Sequence, residues 1–136
     1  MEHSRTPLYL GAALSLVAAL IHFWVVPEHF EEWWGYGMFF LISAIAQALY
    51  SVILPLYPRQ PLLALGIAGN LLIILIWVTS RTMGIPLFGP HAGEVEEVGR
   101  LDLAATLAEL LLVLVLLGLS WGSRARRSAG MSRQEP

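Results

Sequence analysis

Two ionisable residues lie inside stretches of membrane length that are otherwise almost wholly apolar. His22 follows LSLVAALI, and Glu109 precedes LLLVLVLLGL. Asp102, Thr106 and Glu109 follow the spacing i, i+4, i+7, which places them on one face of a helix. An imidazole with carboxylates is a ligand set for metal ions, and it is also a common acid–base pair in enzymes. The chemistry of this chain is therefore expected around His22 and Glu109.

A metal ion is the first ligand that these residues predict. The expected ligands are His22, Glu109 and Asp102, completed from the connecting segments by Glu28, His29 or His91. Nitrogen and oxygen ligands of these kinds suit a divalent ion such as Zn, Fe, Mn or Cu(II). Haem is not expected, because a membrane b-type site usually takes two helical histidines and only His22 meets that condition.

Amide and hydroxyl groups supply the remaining polarity of the apolar stretches. Gln47 and Asn70 fall near the middle of theirs, and Ser43 precedes Gln47 by four residues. Hydrogen bonding between helices is the simplest role of such groups. Together with Thr106 they predict a polar pocket among the helices. The ten apolar residues after Glu109 predict a sealed floor beneath that pocket.

Composition predicts the elements that position these residues. The chain has 136 residues, of which 57% are hydrophobic and 13% are charged, and its mean hydropathy is +0.67. These values lie outside the range of soluble domains, and a membrane span takes about 20 mostly apolar residues. Four stretches qualify, at residues 8–26, 36–54, 61–79 and 101–121. The sequence thus predicts an all-α, polytopic four-transmembrane-helix bundle over 1–123 and a basic, disordered tail over 124–136.

The arginines predict the orientation of the bundle. Six of them flank the ends that share one side of the membrane: Arg5, Arg59, Arg124, Arg126, Arg127 and Arg133. Arg81 and Arg100 fall on the other side. The positive-inside rule therefore predicts a multi-pass cell-membrane protein with both termini in the cytoplasm.

The connections add three expectations. The short turn between the second and third helices predicts that these helices pack side by side. Pro27 predicts the start of a separate interfacial helix after the first span. The long segment before the fourth helix contains apolar residues between its glycines and prolines, which predicts a lid over the outer end of the bundle.

The residues HFWVVPEHFEEW and SRTMGIPLFGP, with the glycine and acidic residues that follow, resemble a group of small four-helix membrane proteins from bacteria. The resemblance extends from His22 to Glu109. It implies the four-helix membrane fold, and it implies no activity, cofactor or catalytic residue.

The expected function is the binding of a metal ion or small ligand in an outward-opening polar pocket. Two alternatives stay open: an accessory structural subunit of a larger membrane complex, and an acid–base enzyme acting on a lipid-soluble substrate. The expected partners are the lipid bilayer and a larger membrane complex or a second copy of the chain. The basic tail predicts contact with anionic lipid and no nucleic-acid binding.

Overall fold

A computed structural model describes residues 5–86 and 88–132 of the chain. The described residues form four α-helices: α1 (Thr6–Glu32), α2 (Trp34–Leu56), α3 (Gln60–Thr82) and α4 (Arg100–Ser132). All four are long and apolar enough to cross a membrane, since a hydrocarbon core of about 30 Å takes about 20 residues. The predicted all-α class and the four helices of membrane-spanning length are confirmed.

All four helices extend beyond their predicted bounds, and α1 and α4 extend furthest. α1 continues through Pro27 to Glu32, where the sequence predicts a separate helix. Pro27 removes one backbone hydrogen bond from α1, and a proline inside a membrane helix is tolerated where neighbouring groups satisfy the freed carbonyl. α4 continues to Ser132, where the sequence predicts a disordered tail, because the arginines and alanines of this segment are good helix formers. Residues 133–136 of the predicted tail, with Arg133, lie outside the described residues.

A single residue, Trp33, joins α1 to α2. Its backbone is extended, with φ −168° and ψ 138°, and its amide donates to the carbonyl of His29 at the end of α1. A Cβ on Gly37 would lie 2.2 Å from the Phe30 ring, so glycine at this position lets the two helices meet closely after the turn. The resulting hairpin places His22 of α1 beside α2.

The bundle has two ends, which we name by what they carry. The terminal end carries the start of α1, the turn between α2 and α3, and the last part of α4. The loop end carries Trp33 and the segment 83–99 between α3 and α4. α4 packs against both α1 and α3, while α2 packs mainly against α1.

The predicted side-by-side packing of α2 and α3 is wrong, because these helices approach each other at few backbone positions. Tyr50 of α2 spans the space between them. Its hydroxyl donates to the carbonyl of Leu62 at 3.1 Å. A Cβ on Gly66 would lie 2.4 Å from the tyrosine carbon that bears the hydroxyl, so the ring occupies the space that the glycine leaves. The long aromatic side chain thus joins two helices whose backbones stay apart.

The apolar core lies in the half of the bundle near the terminal end. It is formed by Tyr50, Leu54, Leu63, Leu112 and Leu116. Large apolar side chains also cover the outside of the helices, and Trp24 and Leu114, for example, are 78% and 57% exposed. An apolar exterior of this kind is what a helix bundle in lipid requires.

Candidate functional site

The side chain of Gln47 connects all four helices in the half of the bundle near the loop end. Gln47 lies on α2, and it hydrogen-bonds with His22 of α1, Asn70 of α3 and Glu109 of α4. These four side chains belong to residues that are at most 5% exposed. Ser15 of α1 donates to the backbone carbonyl of Gln47 at 2.7 Å, which holds this turn of α2 against α1.

The direction of each hydrogen bond follows from a backbone carbonyl, which can only accept. The Gly66 carbonyl accepts from Asn70 Nδ2 at 2.8 Å, so Asn70 Oδ1 faces Gln47 and accepts from Gln47 Nε2 at 3.3 Å. The same nitrogen also donates to Glu109 Oε1 at 2.7 Å. Gln47 Oε1 therefore faces His22, and His22 Nδ1 is the donor of the 2.9 Å bond between them.

His22 and Glu109 form a buried acid–base pair. With its proton on Nδ1, a neutral imidazole presents a lone pair at Nε2, and His22 Nε2 lies 3.7 Å from Glu109 Oε1. A lone pair that faces a carboxylate in a buried site is electrostatically unfavourable. One proton therefore belongs to the pair, either on Nε2 or on the carboxyl group. Both arrangements leave the pair without net charge.

A cavity of about 810 Å³ extends from this pair toward the loop end. His22 and Glu109 line its deep end. Its walls are mostly apolar and include Ile21, Val25, Phe39, Phe40, Ile73 and Ile76. The volume falls in the range of small-molecule sites, about 300–1,000 Å³, which combine apolar walls with a few converging polar groups.

Hydrogen bonds of Arg81 and Asp102 join α3 to α4 at the cavity mouth. Arg81 Nη2 donates to Asp102 Oδ2 at 2.7 Å, and its Nη1 donates to Ser80 Oγ at 2.6 Å. The same Nη1 forms an ion pair with Glu96, in the segment between α3 and α4. The Trp77 indole donates to Asp102 Oδ2 at 2.8 Å. These contacts fix the rim of the cavity on two helices and the segment that joins them.

The segment between α3 and α4 packs over the loop end, as the sequence predicts. The Tyr36 hydroxyl donates to the carbonyl of Phe88 at 3.1 Å. The Phe88 ring lies 5.1 Å from the ring of Trp33, nearly perpendicular to it. Gly84 has a φ of +74°, and a Cβ there would lie 2.6 Å from the backbone of Gly93, so glycine allows the segment to fold back on itself. Phe88 lines the cavity beneath.

The residues predicted to close a metal site from the connecting segments have other partners or face outward. His29 Nδ1 donates to the carbonyl of Val25 at 2.8 Å. His91 Nδ1 lies 3.1 Å from Glu94 Oε2 at the exposed surface. Glu28 is exposed and lines the cavity near its mouth. His29 also lines the cavity, with its ring centroid 4.0 Å from that of Phe40.

Asp102 is likewise engaged by Arg81 and Trp77 rather than by the buried pair. Of the six predicted metal ligands, the structure joins His22 and Glu109 directly. Within residues 5–86 and 88–132, no group of three or more histidine, aspartate and glutamate side chains is arranged to hold a metal ion. The structure therefore does not support the predicted metal site.

The predicted polar pocket residues have mixed positions. Gln47 and Asn70 belong to the buried network, Ser43 is 8% exposed, and Thr106 lines the cavity. The roles of Trp77 and Arg81 do not follow from residue type alone. The signal in the sequence is their i, i+4 spacing at the end of a span, which places an indole and a guanidinium on the same helix face.

The fold and the site together define a class: an all-α protein with four candidate membrane-spanning helices, a buried polar network and an apolar cavity above it. Comparisons of the chain with protein-family models, with curated proteins and with solved structures found no match. The resemblance carried by HFWVVPEHFEEW therefore assigns no function, and the case for one rests on the site.

Proposed function

We propose that this chain is an integral membrane protein that binds a small lipid-soluble molecule in the cavity near the loop end. The observation that carries the proposal is an apolar-walled cavity of about 810 Å³ whose deep end holds the His22–Glu109 pair. Ionisable residues inside membrane spans are costly, and they usually mark a functional site. The walls would contact the apolar body of the molecule, and the pair would contact its polar group.

We also propose that both termini face the cytoplasm and that the cavity opens on the outer side of the cell membrane. The supporting observation is the distribution of arginines, since Arg5, Arg59 and the arginines of the last part of α4 belong to the terminal end. The chain contains no cysteine, so single introduced cysteines report orientation directly. A membrane-impermeant maleimide added to intact cells should label Val95→Cys, and it should label Ser128→Cys after permeabilisation only. The reverse pattern would overturn this orientation.

Binding can be tested with the protein in lipid nanodiscs and an uncharged dye whose fluorescence rises in apolar surroundings. We expect a saturable signal above that of empty nanodiscs. Ile76→Trp places a larger side chain in the cavity wall, and it should weaken dye binding by about tenfold or more.

Leu72→Trp is the matched control, because Leu72 lies on the same helix, is 57% exposed and lies outside the cavity lining. Its affinity for the dye should equal that of the unaltered chain. Equal loss of binding in both variants, or no saturable binding in the unaltered chain, would contradict the proposed site.

Acid–base catalysis on a lipid-soluble substrate is a second candidate function, favoured by the His22–Glu109 pair, which lines the cavity and holds one exchangeable proton. Mass spectrometry of lipids from membranes that contain either the unaltered chain or Glu109→Gln separates the two functions. A binding protein enriches a molecule without changing it, whereas an enzyme produces a second compound that is missing with Glu109→Gln.

A further inference from the structure

The charge around the cavity is strongly unbalanced. Two guanidinium groups line it, those of Arg81 and Arg100. Six carboxyl groups line it as well: Glu28, Glu32, Glu96, Glu97, Asp102 and Glu109. Arg81 is already bonded to two of these carboxylates. The mouth therefore carries a net negative charge, and a cleft of one sign with apolar walls concentrates ligands of the opposite sign.

Aromatic rings line the way from the mouth to the buried pair. Tyr36, Phe39, Phe40 and Trp77 all contribute to the cavity lining, and the Phe40 ring centroid lies 5.5 Å from that of His22. The face of an aromatic ring attracts a cation, and the attraction grows when the cation is desolvated. The walls are thus suited to an apolar body that carries a positive charge.

At the deep end, Glu109 keeps one carboxyl oxygen available. The contacts that the described residues make with this carboxyl group, from Gln47 and from His22, both go to Oε1. Glu109 is 1% exposed and lines the cavity. A buried carboxylate requires a proton or a cation beside it, and His22 meets that need through the shared proton.

We propose, on the basis of the cavity function proposed above, that the bound molecule is a lipophilic cation that replaces the proton shared by His22 and Glu109. One proton leaves the pair to solvent and one positive charge enters, so the net charge of the site is unchanged. His22 remains neutral with its proton on Nδ1, bonded to Gln47 Oε1. The Glu109 carboxylate then faces the cation.

The groups that face Glu109 from the neighbouring helices limit where this proton can come from. α2 and α3 contribute the uncharged amides of Gln47 and Asn70. α1 contributes His22 and, about two turns closer to the mouth, His29, whose Nδ1 donates to the carbonyl of Val25. On α4, Asp102 lies about two turns closer to the mouth, where Arg81 already pairs with it. The exchangeable proton at the deep end therefore belongs to His22 and Glu109.

Two hydrophobic ions of nearly equal shape and opposite charge test the proposal: tetraphenylphosphonium and tetraphenylborate. Each is added to the protein in nanodiscs of uncharged lipid, and binding to empty nanodiscs is subtracted. We expect saturable binding of the phosphonium alone. In weakly buffered solution, its binding should release about one proton per bound cation.

Glu109→Gln removes the exchangeable charge at constant size, so it should weaken phosphonium binding by about tenfold or more and abolish proton release. Glu31→Gln is the matched control, because Glu31 is exposed on α1 and lies outside the cavity lining. If Glu109→Gln does not fold, the difference between the two ions in the unaltered chain decides the matter.

The outcomes separate this inference from the cavity function. Equal binding of both ions, or phosphonium binding that Glu109→Gln leaves unchanged, would overturn the cation proposal while dye binding still supports the cavity. If the unaltered chain binds neither the dye nor either ion, the proposed cavity function is overturned as well. Phosphonium binding without proton release would overturn the exchange.

Discussion

The two halves of this bundle use opposite means to hold the same four helices together. Near the terminal end, Leu54, Leu112 and Leu116 are fully buried among apolar neighbours. Near the loop end, the centre is a hydrogen-bonded set of His22, Gln47, Asn70 and Glu109, with a cavity above it. One half fills its space with side chains, and the other leaves space beside polar groups.

The difference shows where a membrane protein can place a site. Lipid is as apolar as leucine, so close packing and interhelical hydrogen bonds hold such helices together. The packed half can supply the rigidity, which lets the polar half leave a cavity unfilled. Gln47 allows this because its amide satisfies three helices at once, and its backbone carbonyl accepts from Ser15.

The largest effect should come from the packed half. Leu112→Ala would remove a fully buried side chain and leave a void. We expect the free energy of unfolding to fall by about 2 kcal/mol. This value is near the lower end for such truncations, because lipid already shields leucine from water. Unfolding in mixed micelles with increasing dodecyl sulfate measures this loss. Leu114→Ala is the control, since Leu114 is 57% exposed and should change stability very little. Equal losses would show that α4 is not packed as described.

The sequence predicted the fold class and the buried polar residues for a simple physical reason. Long apolar runs indicate membrane-spanning helices. Polar residues that interrupt such runs are easily recognised, and these are His22, Gln47, Asn70 and Glu109. Which helices touch could not be predicted, because Tyr50 and Gly66 look like ordinary members of an apolar span. Their fit across the space between α2 and α3 depends on packing that no local pattern records.

The structure does not support the predicted metal site, and the reason is related. Residue type and depth predicted that Asp102 lies near Glu109. They did not predict that Arg81 pairs with Asp102. Arg81 and Trp77 come from α3, and both bond Asp102 across to α4. Ligand types alone therefore predicted a shared centre where the structure has two separate clusters, one buried and one at the mouth.

A smaller effect should come from the polar half, and it should be cooperative. Gln47→Leu and Glu109→Leu each leave buried groups without a partner, whereas the double variant removes both sides of the 2.7 Å bond. The double variant should therefore lose less stability than the sum of the singles, by about 1 kcal/mol, within the range measured between membrane helices. The control pairs Gln47→Leu with Gln60→Leu, because Gln60 bonds Ser120 at the terminal end. Those two losses should add, and a coupling there as large as that with Glu109 would contradict the division into two halves.

The smallest effect on stability should come from the rim of the cavity, where it should be local. Arg81 pairs with Glu96, which is 48% exposed, and with Asp102, which keeps its hydrogen bond from Trp77 when Arg81 is replaced. Arg81→Ala should therefore cost about 1 kcal/mol. The amide of Glu96 donates to the Ser80 carbonyl at 2.9 Å, and its hydrogen exchange should become faster once Arg81 no longer holds this segment on α3. Arg59→Ala, an exposed arginine at the terminal end, should leave that exchange rate unchanged. Faster exchange at Gln47 or Asn70 in Arg81→Ala would mean that the rim and the buried network open together, and the polar half would then be a single cooperative unit.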